Sequence, residues 1–161
     1  MNLRGTAGMK LAGVYDHHNA SNELKRRDNH DWITDVFEAP AVKIGPRCTQ
    51  SVRKHVSDEF HAEGWAWNVK ISNNTLLSIT ALKDDLAFQL QTGNISRAPY
   101  DLLKLQYLFQ CSKIECAALA VPTKEAAQKI GSNIANADRI WNELQLFDRV
   151  ITVPILLIAF E

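Results

Sequence analysis

Two glutamines two positions apart, Gln89 and Gln91, stand in a segment whose other residues are largely apolar, LAFQLQTGN from Leu86 to Asn94. Period-two alternation is the signature of a strand, so Leu86, Phe88 and Leu90 face one side while Ala87, Gln89 and Gln91 face the other. Carboxamides at alternate positions, ending in a Thr-Gly-Asn bend, make an unusual surface for a core strand. Function is expected on that face. Other chemistry-bearing residues are more scattered. His17 and His18, in the polar cluster DHHN from Asp16 to Asn19, read as solvated histidines beside a helix start, because the neighbouring sequence supplies no further zinc ligands. Arg53, Lys54, His55, Asp58, Glu59 and His61 share one face of an expected helix. That face reads as solvated, with Glu59 a minor candidate for a metal site.

The glutamines are positioned by a hairpin from Thr75 to Asn94: an apolar strand to Leu82, a turn at Lys83-Asp84-Asp85, and the return strand. Before it, Lys10 to Tyr15 reads as a short strand, and Ser21 as the cap of a helix through Glu23 to Arg27. Trp32, Ile33, Val36 and Phe37 form an apolar stripe at helical spacing, fitted to core or dimer contact. A helix from Gln50 carries Val52, Val56 and Phe60 inward and stops at Gly64. Trp65 to Ile71 alternates as a strand. After the hairpin, Pro99 opens a helix with Leu102, Leu103, Leu105, Leu108 and Phe109 turned inward. Ile114 to Val121 is a continuous apolar run, typical of a strand covered on both faces. Pro122 starts a short helix, and Gly131 to Asn133 is a loop. Ala137, Ile140, Trp141, Leu144 and Phe147 mark a further helix, and Thr152 to Phe160 a final strand. The order implies an α/β fold, a mixed β-sheet flanked by helices.

A chain of 161 residues accommodates one domain with a real core. The expected division is a loose tail at residues 1–8 and a single domain over 9–161. Lys plus Arg number 18, as do Asp plus Glu, which argues against a strongly basic, non-specific DNA coater and is silent on other nucleic-acid partners. Cys48, Cys111 and Cys116 contain no CxxC pair, an odd set that suits reduced thiols and a cytoplasmic location. No stretch is long and apolar enough to span a membrane.

Several collinear segments resemble one family, the type II restriction endonucleases of the BglII and BstYI kind, within the PD-(D/E)xK superfamily. They are VYDHHNASNEL, DEFHAEGW, KDDLAFQLQTGN, APYDLLKLQYLF, IECAALAVPTKEAA and VPILLIAF, and together they cover most of the chain. Relative to the family the chain looks trimmed around Asn73 and Asn74. Its start aligns at Met9, leaving Met1 or Met9 as the first residue of the domain. The resemblance implies a restriction-endonuclease-like core, double-stranded DNA as partner, Mg²⁺ as cofactor and a homodimer. Trp32, Ile33, Val36, Phe37 and Tyr107 are the suspected dimer surface.

Family chemistry places an Asp, a Glu nine positions later and a Gln two beyond, the carboxylates holding Mg²⁺. The corresponding residues here are Thr80, Gln89 and Gln91. The strand positions are kept and the charge is gone. A loop counted from Lys83 to Leu86 sets Thr80 opposite Gln89; a loop one residue shorter sets it opposite Phe88. Glu59, Asp84 and Asp85 are the candidate substitute metal ligands, with Asp58 and Glu63 beside them. The resemblance also implies DNA contacts from Asn94, Arg97, Ser132 and Asn133, while Lys70, Lys83 and Lys104 are candidates for phosphates. Three functions stay open. They are a DNA-binding nuclease relative with weak or lost cleavage, an active Mg²⁺-dependent endodeoxyribonuclease with relocated ligands, and a non-catalytic dimeric regulatory partner.

Overall fold

A computed structural model describes residues 7–161. The expectation of a loose tail therefore falls mostly outside the described residues, except that Gly8 is paired. Strand β1 (Gly8–Met9) and strand β3 (Ala39–Lys43) form a small antiparallel sheet that the sequence reading omitted. At Gly8 a side-chain carbon would overlap the Pro40 carbonyl oxygen, so only glycine admits this approach.

The main sheet contains β2 (Leu11–His17), β4 (Ala66–Lys70), β5 (Ser78–Lys83), β6 (Leu86–Leu90), β7 (Cys116–Pro122) and β8 (Ile155–Phe160). Its spatial order is β2-β8-β7-β6-β5-β4. The strands β6, β7 and β8 run parallel, β4, β5 and β6 form an antiparallel meander, and β2 is antiparallel to β8. This is the mixed sheet that the sequence implies. Strand β7 is buried at every position, which explains its unbroken apolar run.

Helices α1 (Ala20–Arg26), α2 (His30–Asp35), α3 (Thr49–Ala62) and α5 (Lys124–Ile130) contribute to the core on the Phe88 side of the sheet; α4 (Ala98–Gln110) and α6 (Ala137–Leu146) contribute to the core on the Ala87 side. Local signals explain most boundaries. Gly64 has φ 80, the left-handed conformation that ends α3. Thr123 caps α5 by accepting from the Ala126 N–H at 3.1 Å, so the helix begins at Lys124, two residues after the start expected at Pro122. Helix α1 begins at Ala20, before the expected cap Ser21, whose N–H donates to Asp16 Oδ1 at 3.3 Å.

Two facing assignments are corrected. Leu103 is 55% exposed, because Leu102 and Leu105 already fill the inward side of α4. Ile33, Val36 and Phe37 are buried in their own subunit, and Trp32 packs 4.9 Å from Phe60 and 6.0 Å from Trp65, ring centroid to centroid. Those four residues are core, not dimer surface; Tyr107 is exposed. Cys48, Cys111 and Cys116 are free thiols. Among the described residues no helix is long and apolar enough to cross a membrane.

Candidate functional site

The hairpin register pairs Lys83 with Leu86, Leu82 with Ala87 and Ala81 with Phe88, the register that brings Thr80 beside Gln89. Beyond Ala81 the ladder is completed by side chains. Gln89 Oε1 accepts from the Thr80 N–H at 2.9 Å and from Thr80 Oγ1 at 3.2 Å, while Thr80 Oγ1 accepts from the Leu90 N–H at 3.0 Å. A backbone N–H only donates, so Gln89 must present its carbonyl oxygen to Thr80 and its NH₂ group away from it. Gln91 is fixed in the same way, its Oε1 accepting from the Gly93 N–H at 2.8 Å.

Both NH₂ groups meet one carboxylate that the sequence reading did not single out. Asp101, in the first turn of α4, accepts from Gln89 Nε2 at 3.0 Å on one oxygen and from Gln91 Nε2 on the other. Lys104 Nζ lies 3.5 Å from the same carboxylate. Asp101 is 2% exposed. Burial pushes its carboxyl above the ordinary carboxylate value, opposed by Gln91, Lys104 and Gln89. The missed signal was its place in the helix: Asp101, Leu105 and Leu108 follow i, i+4, i+7 spacing on an otherwise apolar face.

A hollow of about 350 Å³ opens over this network, lined by Arg53, Arg97, Lys104, Tyr100, Leu77 and the polar groups of Gln89, Gln91 and Asp101. Three cationic side chains against one carboxylate make its rim attractive to an anion. Two loops meet close by. Asn94 accepts from the Ser96 N–H at 2.9 Å and bridges to Ile134, Ile95 N–H donates to Asn133 O at 2.7 Å, and Ala135 N–H donates to Gly93 O at 2.9 Å. Asn94, Arg97, Ser132 and Asn133 are all exposed, so the segments carrying the four residues named as DNA contacts are stitched together.

The substitute ligands lie elsewhere. Asp84 and Asp85 form the turn before β6, at the end of that strand remote from Gln91. Asp85 is bound by Arg27 through Nε at 2.8 Å and Nη2 at 2.7 Å, and this pairing holds its carboxyl below the usual range. Glu59 is exposed on α3, and Asp58 pairs with Lys54 at 2.6 Å. Lys83 donates to the Glu63 carbonyl at 2.8 Å, closing the end of α3. A depressed carboxyl stabilises the fold above its unfolded pKa, and that contribution is lost as pH falls through the lower folded value. Arg27→Met is therefore expected to cost about 1 kcal/mol at neutral pH, discounted because Asp85 is partly exposed. It should also flatten the loss of stability on acidification. Urea titrations at pH 7 and below pH 4 check both.

The donor set at Thr80, Gln89 and Gln91 does not suit Mg²⁺. One carboxylate is present, and amide N–H groups and an ammonium already engage it, whereas Mg²⁺ requires oxygen ligands and charge neutralisation. Charges a few Å apart near a protein surface interact by about 4 kcal/mol, so one carboxylate that is already engaged does little to offset a divalent charge.

The architecture is that of a restriction endonuclease. The structure superposes on that described as "restriction endonuclease BGLII complexed with DNA 16-mer" with a TM-score of 0.73 and 13% identity, covering 91% of this chain and 74% of that one. Free BglII gives a TM-score of 0.70 at 13% identity, covering 91% and 77%. The family model "Restriction endonuclease BglII/BglIII" matches residues 12–160, and the chain belongs to that family. A search of the curated proteins finds no match to the sequence.

Proposed function

We propose that the protein binds double-stranded DNA as a cytoplasmic homodimer and cleaves it weakly or not at all with Mg²⁺. One observation carries this reading: the carboxamides of Gln89 and Gln91 turn their NH₂ groups onto Asp101, closing with neutral donors a position where the family resemblance calls for acids. A phosphate diester is held instead by Arg53, Arg97 and Lys104 around the hollow. Asn94, Arg97, Ser132 and Asn133 face the bases or backbone from the two joined loops. The dimer uses the outer side of α4, where Tyr100, Leu103 and Tyr107 are exposed.

A second reading, an active Mg²⁺-dependent endonuclease with a relocated ligand, is favoured by one feature, the carboxylate of Asp101 beside Gln89. Gel shifts on pooled random duplexes and plasmid nicking with Mg²⁺ and Mn²⁺ separate the two. The expected result is metal-independent binding with little nicking. Arg97→Ala and Arg53→Ala should each weaken binding by about tenfold and reduce the salt slope by about one. Robust nicking abolished by Asp101→Ala would establish the active reading. No binding at low salt would leave the regulatory partner.

A further inference from the structure

At the opposite end of the sheet from Gln91, three ligand-bearing side chains converge that share nothing with the polar network. One ring nitrogen of His17, one of His18 and a carboxylate oxygen of Asp148 lie within 4.8 Å of one another. His17 closes β2 opposite Ile155, the first residue of β8, and Asp148 belongs to the segment before β8. The sequence alone hid the group, because Asp148 stands 130 positions beyond His18.

The local geometry suits a cation. His18 Nε2 is 3.1 Å from Asp148 Oδ1 and 2.9 Å from the Asp148 carbonyl oxygen. Ligand atoms of a tetrahedral zinc site, at about 2.0–2.1 Å from the metal, stand roughly 3.3 Å apart. His17 Nε2 donates to the Ile151 carbonyl at 2.6 Å. That leaves Nδ1 as the lone-pair atom of the neutral ring, the arrangement common when an imidazole binds metal through one nitrogen and a backbone carbonyl holds the other. Two successive residues, His18 with φ 54 and Asn19 with φ 66, hold the left-handed conformation, an uncommon backbone for non-glycine residues.

We propose that His17, His18 and Asp148 form a binding site for a divalent transition-metal ion of the zinc, nickel and copper class. Two imidazoles and one carboxylate match the preferences of that class and not those of Mg²⁺. Three protein ligands leave a fourth tetrahedral position for water. On binding through Nε2, His18 loses the proton there and carries one on Nδ1, so loading releases no proton from a neutral ring. The ion would staple the end of β2 to the segment preceding β8. The site is independent of the DNA-binding reading.

The test uses the full chain in a Cys111→Ser background, which removes the exposed thiol as a competing ligand, after stripping with a chelator. Calorimetry with Zn²⁺ and with Ni²⁺ should show one equivalent bound with micromolar affinity, and melting should rise by several degrees at saturating metal. Mg²⁺ should produce neither effect. His18→Ala and Asp148→Asn, both at exposed side chains, should each weaken binding at least about tenfold while leaving the metal-free circular dichroism spectrum unchanged. Absence of saturable binding up to about 100 μM, or stoichiometric binding that survives both variants, would overturn the proposal.

Discussion

Gln89→Glu is expected to destabilise the metal-free protein strongly at neutral pH and to create a Mg²⁺-dependent gain in stability that the wild type lacks. One oxygen of the new carboxylate still accepts from the Thr80 N–H. The other arrives where the amide nitrogen now lies, 3.0 Å from Asp101 Oδ1. Two ionised acids at that separation repel by about 5 kcal/mol even at an effective dielectric constant of 20, so the pair binds a proton instead and its folded-state pKa rises. The sign follows. Below the unfolded carboxylate range both states are protonated and nothing is lost; as pH rises towards the raised folded value, stability falls. The expected loss at pH 7 is about 2–4 kcal/mol, with little loss at pH 4. Mg²⁺ then finds two carboxylates on one face and restores stability by mass action. Adding Thr80→Asp supplies a third acid and should strengthen metal binding further, with nicking as the readout of regained chemistry. A wild type whose melting temperature rises with Mg²⁺, or a Gln89→Glu variant as stable at pH 7 as at pH 4, would defeat the account.

The hairpin that carries these groups was legible because strand alternation has a period of two and the loop length leaves few registers. That arithmetic leaves two partners for Thr80, Gln89 or Phe88, and the structure has the register with Gln89. The run through β7 was legible too, since a strand covered on both faces has no polar positions. What periodicity cannot say is which partner covers an apolar stripe. Trp32, Ile33, Val36 and Phe37 fitted core or dimer contact alike, and Phe60 from α3 and Trp65 after it complete the layer within one chain. The β1–β3 pair was missed because it is short, contains Pro40 and depends on contact between distant segments.

The polar centre was half legible. Gln89 and Gln91 stood out as amides on a core strand, but their partner lies beyond an intervening loop, and no fixed spacing links a strand amide to a helix carboxylate. Asp101 was visible only as a charge at an inward helical position. Asp148 carried no such mark, since nothing in its own segment distinguishes it from a solvated acid. Both residues acquire meaning from tertiary placement alone, and both sit within hydrogen-bonding reach of groups that the sequence did single out.

Asp101→Asn is expected to destabilise the protein even though it removes a buried charge, and a second substitution should repair it. The carboxylate offers two acceptors, one to Gln89 and Lys104, the other to Gln91. An asparagine keeps one oxygen, which Lys104 and Gln89 will claim, and turns its NH₂ group against the NH₂ of Gln91. Gln91 cannot rotate away without abandoning the Gly93 N–H. Leaving buried donors unmatched costs about 1–3 kcal/mol. Gln91→Glu alone places acceptor against acceptor and is harmful for the opposite reason. Combined, the two changes exchange donor and acceptor across one hydrogen bond and keep the same net charge, so most of each loss should return. The coupling energy expected from a double-mutant cycle in urea is about 1–3 kcal/mol. Burial alone makes the contrary prediction. It outweighs the donors in pushing the Asp101 carboxyl upward, and if that desolvation also governed the stability of the fold, Asp101→Asn would stabilise it and the second change would not couple to it. Additive losses, or a gain from Asp101→Asn alone, would mean that the network does not hold this carboxylate in place. Its burial beside Gln89 would then point to a ligand role, strengthening the reading in which cleavage survives.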